Sequence, residues 1–307
     1  MTLSDMGETQ MNTRNRLQFH TIVVATDFTD TASAALRYAK AIAVRHQSTL
    51  VVVHVVDPVS YAFPEGIPEY AAADQAAREE LRGIEEETRR HGIPIHSVVE
   101  TGIVYERILQ ALEDHHADLL VLGTRAKTGI GRAALGAVAR RLLAKAECPV
   151  LTVPPDSEVH LPWAGHWRHV LVATDFSAAS LAALGHAQRI AYEQLMVVHA
   201  ADDTSGNDCK RYIEQLRFLA PVNESHTLPV EHIVCQGDAG KVIADHAQRF
   251  HADLIVLGSP GIELAEEDFH TSTVLQVVSQ ADCPVLCVPC IPYPLGQEIL
   301  EEAALSC

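Results

Sequence analysis

The stretch Asp118 to Ala137 reads DLLVLGTRAKTGIGRAALGA, and its reading decides the fold. Leu119 to Leu122 followed by Gly123 form an apolar run short enough for a buried parallel strand. A loop containing Gly, Thr and Lys comes next, and from Arg132 onward the residues suit a helix. A buried strand that feeds a small-residue loop and then a helix N-terminus is a physical arrangement for holding an anion. The loop amides and the first helical turn direct partial positive charge at one spot.

The same logic runs outward in both directions. Thr21 to Thr26 and Thr49 to Val56 are β-branched runs. Ile95 to Glu100 is less apolar and is expected near a sheet edge, and Pro149 to Val153 closes the set. Helical spacing fills the intervals at 32–45, 71–91, 104–116 and from Arg132 to about Glu147, with Thr29, Asp30 or Thr31 available to cap the first helix. Pro58, Pro64, Gly66 and Pro68 mark a loop before the second. Strands alternating with helices of this length predict an α/β fold with a parallel sheet covered by helices.

Then the chain starts again. HVLVATDFS around Asp175 repeats HTIVVATDFT around Asp27, and Val197-Val-His199 repeats Val52-Val-His54. DLIVLG at 253–258 repeats DLLVLG at 118–123, and DCPVLCV at 282–288 repeats ECPVLTV at 147–153. The spacing shrinks by about 13 residues from the first match to the last, mostly between the second and third strands. The chain is therefore a duplicated α/β domain. Pro154 to Arg168 is rich in Pro and Gly and reads as the connection. The expected division is domain 1 at 18–155, a linker at 156–167, domain 2 at 168–290, and an amphipathic tail helix within 291–307.

Composition sets the outer bounds. A net charge of −17 among 307 residues argues against a nucleic-acid face, which needs clustered Lys and Arg. No apolar run approaches the roughly 18–20 residues of a membrane span. The first 19 residues are polar and read as a disordered lead-in rather than a signal peptide. Seven cysteines without a disulfide-like framework suggest a reducing cytoplasm.

Asp27 and Asp175 end the first strand of each copy, at the carboxyl edge where ligands sit in open parallel sheets. Such an Asp can accept hydrogen bonds from an adenine amino group or a ribose hydroxyl, and it can equally serve as a helix cap or turn residue. The loop matches neither G-x-x-x-x-G-K-[ST] nor G-x-G-x-x-G. His54 and His199 read as structural. Cys148, Cys283 and Cys287 read as buried small hydrophobes, and Cys290 and Cys307 as more exposed. His160, His166 and His169 beside Trp163 and Trp167 lack metal partners at ligand spacing.

Taken together, Thr-Asp-Phe-[Ser/Thr] after the first strand, His-Val at the end of the second, the glycine loop after the fourth and Cys-Pro-Val opening the fifth resemble the universal stress proteins in tandem form. The resemblance covers nearly all of 18–155 and 168–290. It implies, in each copy, an open five-stranded sheet of order 3-2-1-4-5 with helices on both faces, of the adenine-nucleotide alpha-hydrolase-like type. It also implies ATP, with Mg²⁺, held between the first and fourth strands of nucleotide-binding members. Carried over by position, Thr26, Asp27 and Val55 contact adenine and ribose. Leu122, Gly123, Gly136, Ala137 and Val138 line the phosphate side, with Arg125 and Lys127 in the loop.

The family loop Gly-x2-Gly-x9-Gly-[Ser/Thr] becomes Gly123-x2-Ala126-x9-Gly136-Ala137 here, losing one glycine and one hydroxyl. Arg125, Lys127, Thr128 and Arg132 keep it basic. In the second copy Gly258-x2-Gly261 survives, but Pro260 removes an amide donor and Thr271-Ser272 replaces the last pair. Glu263, Glu266, Glu267 and Asp268 place carboxylates where phosphates would lie, and Ala200 stands where the first copy has Val55. The expectation is a stress-response binding protein without catalysis of its own, with nucleotide in domain 1 and a degenerate domain 2. The alternatives are a nucleotide-independent interaction module and a slow ATP hydrolase. The two copies are expected to pack through their fifth-strand edges as an internal pseudo-dimer, an arrangement that also hides those edges, and two chains can pair again as a homodimer.

Overall fold

The computed structural model describes residues 17–57, 66–124, 135–155, 157, 167–201, 206–222, 228–259 and 272–290, with backbone only for 66–71 and 206. In the first half the elements are β1 (Thr21–Ala25), α1 (Asp30–His46), β2 (Thr49–Val56), α2 (Gly66–Arg90) and β3 (Ile95–Thr101). They continue with α3 (Val104–Asp114), β4 (Leu119–Gly123), α4 (Ala137–Lys145) and β5 (Val150–Val153). The second half gives β6 (Trp167–Ala173), α5 (Ala178–Ile190), β7 (Ala191–Ala201), α6 (Gly206–Leu219) and β8 (Val230–Gln236). It ends with α7 (Ala239–Arg249), β9 (Leu254–Ser259), α8 (Thr273–Gln280) and β10 (Val285–Pro289).

All ten strands form one sheet of order β3-β2-β1-β4-β5-β10-β9-β6-β7-β8. Within each half the pairings are parallel and the order is 3-2-1-4-5, as expected. The halves join edge to edge: β10 pairs antiparallel with β5, in the register Val285↔Thr152, Leu286↔Leu151 and Cys287↔Val150. The Thr152 hydroxyl adds a bond to the Val285 carbonyl across this seam at 3.2 Å. Pairing the two inner edges removes two open strands, leaving β3 and β8 outermost. The weaker apolar character of 95–100 is thus explained by its edge position.

Period-two alternation sends strand side chains to two cores. Ile22, Val24, Val121 and Leu151 pack with α1, α2, α5 and α6 on one face. Val23, Leu120, Leu122 and Val150 pack with α3, α4, α7 and α8 on the other. Both cores run through the seam, since Leu151 and Leu286 share one and Val150 and Cys287 the other. The Asp that opens β4 and β9 is a strap. Asp118 accepts from the His20 and Thr21 amides at 2.7 and 3.2 Å, and Asp253 accepts from those of Arg168 and His169 at 2.9 and 3.1 Å. Burial raises the Asp118 carboxyl above its ordinary range despite these bonds.

Three boundaries differ from expectation. α2 begins at Gly66, so Pro68 sits in its first turn, where its missing N–H has no intrahelical partner to lose. The helix after the glycine loop begins at Ala137, with Gly136 at its N-cap. Arg132 itself lies outside the described residues. β6 begins at Trp167, the last residue of the expected linker. The rest of that segment is represented by Ser157, whose carbonyl accepts from the Tyr38 hydroxyl at 2.5 Å. The tail at 291–307 and the lead-in at 1–16 lie outside the described residues.

Candidate functional site

The site is built at the end of β1. Thr26 leaves the strand with its amide still on the Val53 carbonyl at 3.0 Å, and its hydroxyl accepts from the Phe28 amide at 3.1 Å. Phe28 takes φ 61°, a left-handed conformation unusual for an aromatic residue and costing about 1–2 kcal/mol. Asp27 Oδ1 accepts from the Thr29 amide at 3.1 Å and from its hydroxyl at 2.5 Å. The Thr29 hydroxyl oxygen then caps α1 by accepting from the Ala32 amide at 3.2 Å. His54 Nδ1 bonds the Thr26 carbonyl at 2.9 Å, and its ring lies 4.5 Å from that of Phe28.

The second half repeats each part. Phe176 has φ 65°, its amide donates to the Thr174 hydroxyl at 3.0 Å, and Asp175 Oδ1 accepts from the Ser177 amide and hydroxyl at 3.0 and 2.5 Å. His199 Nδ1 bonds the Thr174 carbonyl at 2.8 Å beside the Phe176 ring. Burial works to raise the Asp175 carboxyl, yet the Ser177 bonds outweigh it and hold the group below the ordinary carboxylate range. Thr-Asp-Phe-[Ser/Thr] is therefore a turn-and-cap unit. It occupies Oδ1 of the aspartate, and Asp27 itself is exposed at the carboxyl end of β1.

Of the sequence-derived site residues, Thr26, Asp27, Val55, Leu122, Gly123, Gly136, Ala137 and Val138 gather at the carboxyl ends of β1, β2 and β4 and the start of α4. The Gly136 amide donates to the Thr124 carbonyl at 3.3 Å, so the ends of the glycine loop are pinned together. Arg125, Lys127 and the rest of 125–134 lie outside the described residues. Val138 is exposed at the helix start. Gly123 has a packing reason of its own. A Cβ there would lie 2.6 Å from the Thr31 methyl and 3.0 Å from the Thr31 backbone, and at Gly258 it would lie 2.4 Å from the Ala179 carbonyl carbon. Each glycine lets the first turn of α1 or α5 rest directly on β4 or β9.

The second half holds a cleft of about 520 Å³ at the equivalent place, lined by Thr174, Asp175, Ala200, Gly258, Thr273 and Cys290 among others. The first five match Thr26, Asp27, Val55, Gly123 and Val138 one for one. The acidic loop that argues against phosphate there, Glu263 to Asp268 with Pro260 and Gly261, lies outside the described residues. The Ser272 hydroxyl accepts from the Leu275 amide at 3.4 Å and so caps α8. Thr29, one of the three caps the sequence offers for the first helix, is the one that caps it, and the sequence signal for the roles of Phe28, Phe176 and Ser177 is the recurrence of Thr-Asp-Phe-[Ser/Thr] in both copies.

The remaining candidates take structural places. Both strand histidines brace the turn unit, as expected. Cys148, Cys283 and Cys287 are buried, and burial pushes their thiols up to about 12. Cys290 is half-buried, and the six described cysteines are free. Among the described residues no group of three or more His, Cys, Asp or Glu is placed to hold a metal, and no helix is long and apolar enough to cross a membrane.

The universal stress protein family model matches the chain twice, over residues 18–154 and 166–289. The chain belongs to the universal stress protein family. Its tandem form agrees with the duplicated sheet. A universal stress protein of Methanocaldococcus jannaschii is 31% identical over 139 residues, 43% of this chain and 80% of that protein. One of Thermus aquaticus is 37% identical over 137 residues, 44% of this chain and 98% of that protein. Each spans one half of this chain. The crystal structure of a universal stress protein from Archaeoglobus fulgidus covers 88% of this chain and 96% of its own, at TM-score 0.70 and 20% identity, a likeness of fold. This tandem universal stress protein thus keeps the family architecture in both halves while its two glycine loops diverge.

Proposed function

We propose that this protein acts by binding, without chemistry of its own, and that its first half takes an adenine nucleotide, with Mg²⁺, at the carboxyl ends of β1 and β4. The observation that carries this reading is the presentation of Asp27. Its Oδ1 is tied to Thr29, which orients the carboxylate and leaves Oδ2 for a ribose hydroxyl or adenine amine. The left-handed Phe28 that makes this orientation is backbone strain kept at a ligand edge. Gly123 brings the helix start against the strand, and Arg125, Lys127 and Arg132 of the neighbouring loop supply positive charge for phosphates. The second half has the cleft, but four carboxylates in its loop oppose phosphate. The six described cysteines are free thiols, which supports a reducing compartment, the cytoplasm.

A second reading, a nucleotide-independent interaction module, draws on the same turn. Thr26 and one oxygen of Asp27 are already used locally, so the motif has a structural reason to persist without a ligand. Heat extraction of the purified protein followed by chromatography separates the two. Adenine nucleotide released from the wild-type protein, and absent from Asp27→Asn, supports the first. A nucleotide-free extract, with no thermal shift on adding ATP and Mg²⁺, supports the second. Asn keeps an oxygen for the Thr29 amide while replacing Oδ2 with a donor, so the turn survives in the variant.

A further inference from the structure

On the outermost strand of the second half a thiol and an imidazole meet. Cys235 lies near the end of β8, and its Sγ is 3.2 Å from Nε2 of His246 on α7. The other ring nitrogen, Nδ1, is 2.8 Å from the Val242 carbonyl one turn earlier in the helix. A carbonyl oxygen only accepts, so Nδ1 carries a proton and the neutral ring presents a bare Nε2. The Cys235 S–H therefore donates to Nε2. A nucleophile within reach of a base whose tautomer is fixed by a third group is the arrangement that activates a thiol. Phe250 stacks on the imidazole, with ring centroids 5.9 Å apart, and limits its rotation.

The pair is an addition to the second half rather than a duplicated piece of scaffold. Gly102 and Gly237 match across the halves: both have positive φ, and their amides donate to the carbonyls that end the second strands, of Val56 and Ala201. At the same offset Glu100 stands in the place of Cys235 and Ala111 in that of His246, so the first half builds the same fold without either group. Burial raises the Cys235 thiol above its ordinary value, with Arg249 on α7 opposing this and Cys209 on α6 adding to it. Thiolate is the reactive form, so this thiol is slow unless a base takes its proton, and His246 is placed to do so. Cys235 is half-buried and Gln236 to Asp238 beside it are exposed, which admits a small reagent.

We infer that Cys235, with His246 as its base, is a modification site at which a small hydroperoxide oxidises the thiol to a sulfenic acid. Nε2 takes the S–H proton and the sulfur attacks a peroxide oxygen, so that an S–O bond forms and the O–O bond breaks. The departing oxygen takes the proton back from Nε2 and leaves as water when the oxidant is hydrogen peroxide. The sulfur is oxidised and the peroxide reduced, and a sulfenic acid is returned to thiol by other thiols.

The test adds hydrogen peroxide to the intact protein, traps sulfenic acid with dimedone and reads each cysteine by peptide mass spectrometry. Cys209, half-buried in the same half and without a hydrogen bond to its thiol among the described residues, is the internal reference. The inference predicts trapping at Cys235 at least about tenfold faster than at Cys209, the lower end of what a positioned base supplies being larger still. His246→Gln, checked for folding by circular dichroism, should remove that advantage and leave the Cys209 rate unchanged. Alkylation by iodoacetamide gives a readout that a structural role does not move. The wild-type Cys235 rate should be nearly level from pH 7 to 8, whereas in His246→Gln it should rise about tenfold per pH unit, as for an isolated thiol below its pKa of about 8.5. Equal rates at Cys235 and Cys209 in the wild type, an unchanged Cys235 rate in the folded variant, or a wild-type rate that rises about tenfold per pH unit would each overturn the inference. The first and third of these need no variant.

Discussion

Replacing Gly258 by Ala tests whether the glycine at the carboxyl end of the fourth strand of each half is kept by packing. A Cβ at 258 would stand 2.4 and 2.5 Å from the Ala179 carbonyl carbon and oxygen and 2.5 Å from the Ser180 amide nitrogen. All three are backbone atoms of a capped helix, and no rotamer change relieves them. Ordinary contact begins near 3.4 Å, so the first turn of α5 must lift by about 1 Å from the sheet. Neither Gly258 nor Gly123 is among the glycines with positive φ, which leaves space as the reason. Overpacking costs about 1–3 kcal/mol, and the backbone obstacle places Gly258→Ala near the top of that range. At Gly123 the nearest atom is a methyl, Thr31 Cγ2 at 2.6 Å, with backbone at 3.0 Å, so rotation of Thr31 absorbs part of the clash. Gly123→Ala is expected to cost about 1 kcal/mol. Gly83, exposed in α2 with nothing within 4 Å of its missing Cβ, is the control; Gly83→Ala is expected to stabilise by about 0.5–1 kcal/mol. Urea unfolding followed by far-ultraviolet circular dichroism ranks the three, provided the slope with urea is unchanged. A Gly258→Ala cost below that of Gly123→Ala, or under about 0.5 kcal/mol, would refute the packing argument.

Two further predictions concern titration and reactivity. Burial, with Arg189 adding to it, lowers the pKa of His186, whose Nδ1 bonds the Ala182 carbonyl at 3.0 Å. The folded protein thus takes up this proton less readily than the unfolded chain. The stability due to neutral His186 is present above about pH 6.5 and is lost as pH falls toward the folded value. His186→Leu should flatten the decline in stability between pH 7 and 5, by no more than about 1.4 kcal/mol per pH unit; parallel curves for the two proteins would contradict it. Cys148, Cys283 and Cys287, buried and pushed up to about 12, should resist alkylation at pH 8 in the native protein and react on unfolding. Cys290 should react first among the cysteines of the second half's C-terminal strand, as read by peptide mass spectrometry.

The sequence made the sheet legible because buried parallel strands and amphipathic helices are local periodic signals, and repetition doubled each of them. Even the seam followed, since an apolar Cys-Pro-Val strand at the end of each half needs a partner for its open edge. Boundaries were less legible. Pro68 read as a loop residue because a proline inside a first turn looks the same in sequence as one that ends a helix. At the site, the position of Asp27 was readable from its strand, but the destination of its Oδ1 was not, because Thr29 competes for it within the turn. Gly123 was read through its loop, whereas what faces it is Thr31, nearly a hundred positions earlier.

Calorimetric titration of ATP with Mg²⁺ into the intact protein, beside Asp27→Asn and Asp175→Asn, tests the binding account most directly. The account predicts one site per chain, lost in Asp27→Asn and retained in Asp175→Asn. Two sites per chain, or a single site abolished only by Asp175→Asn, would contradict it by placing nucleotide in the second cleft. Absence of heat together with absence of thermal stabilisation would contradict it as well and leave the interaction module standing.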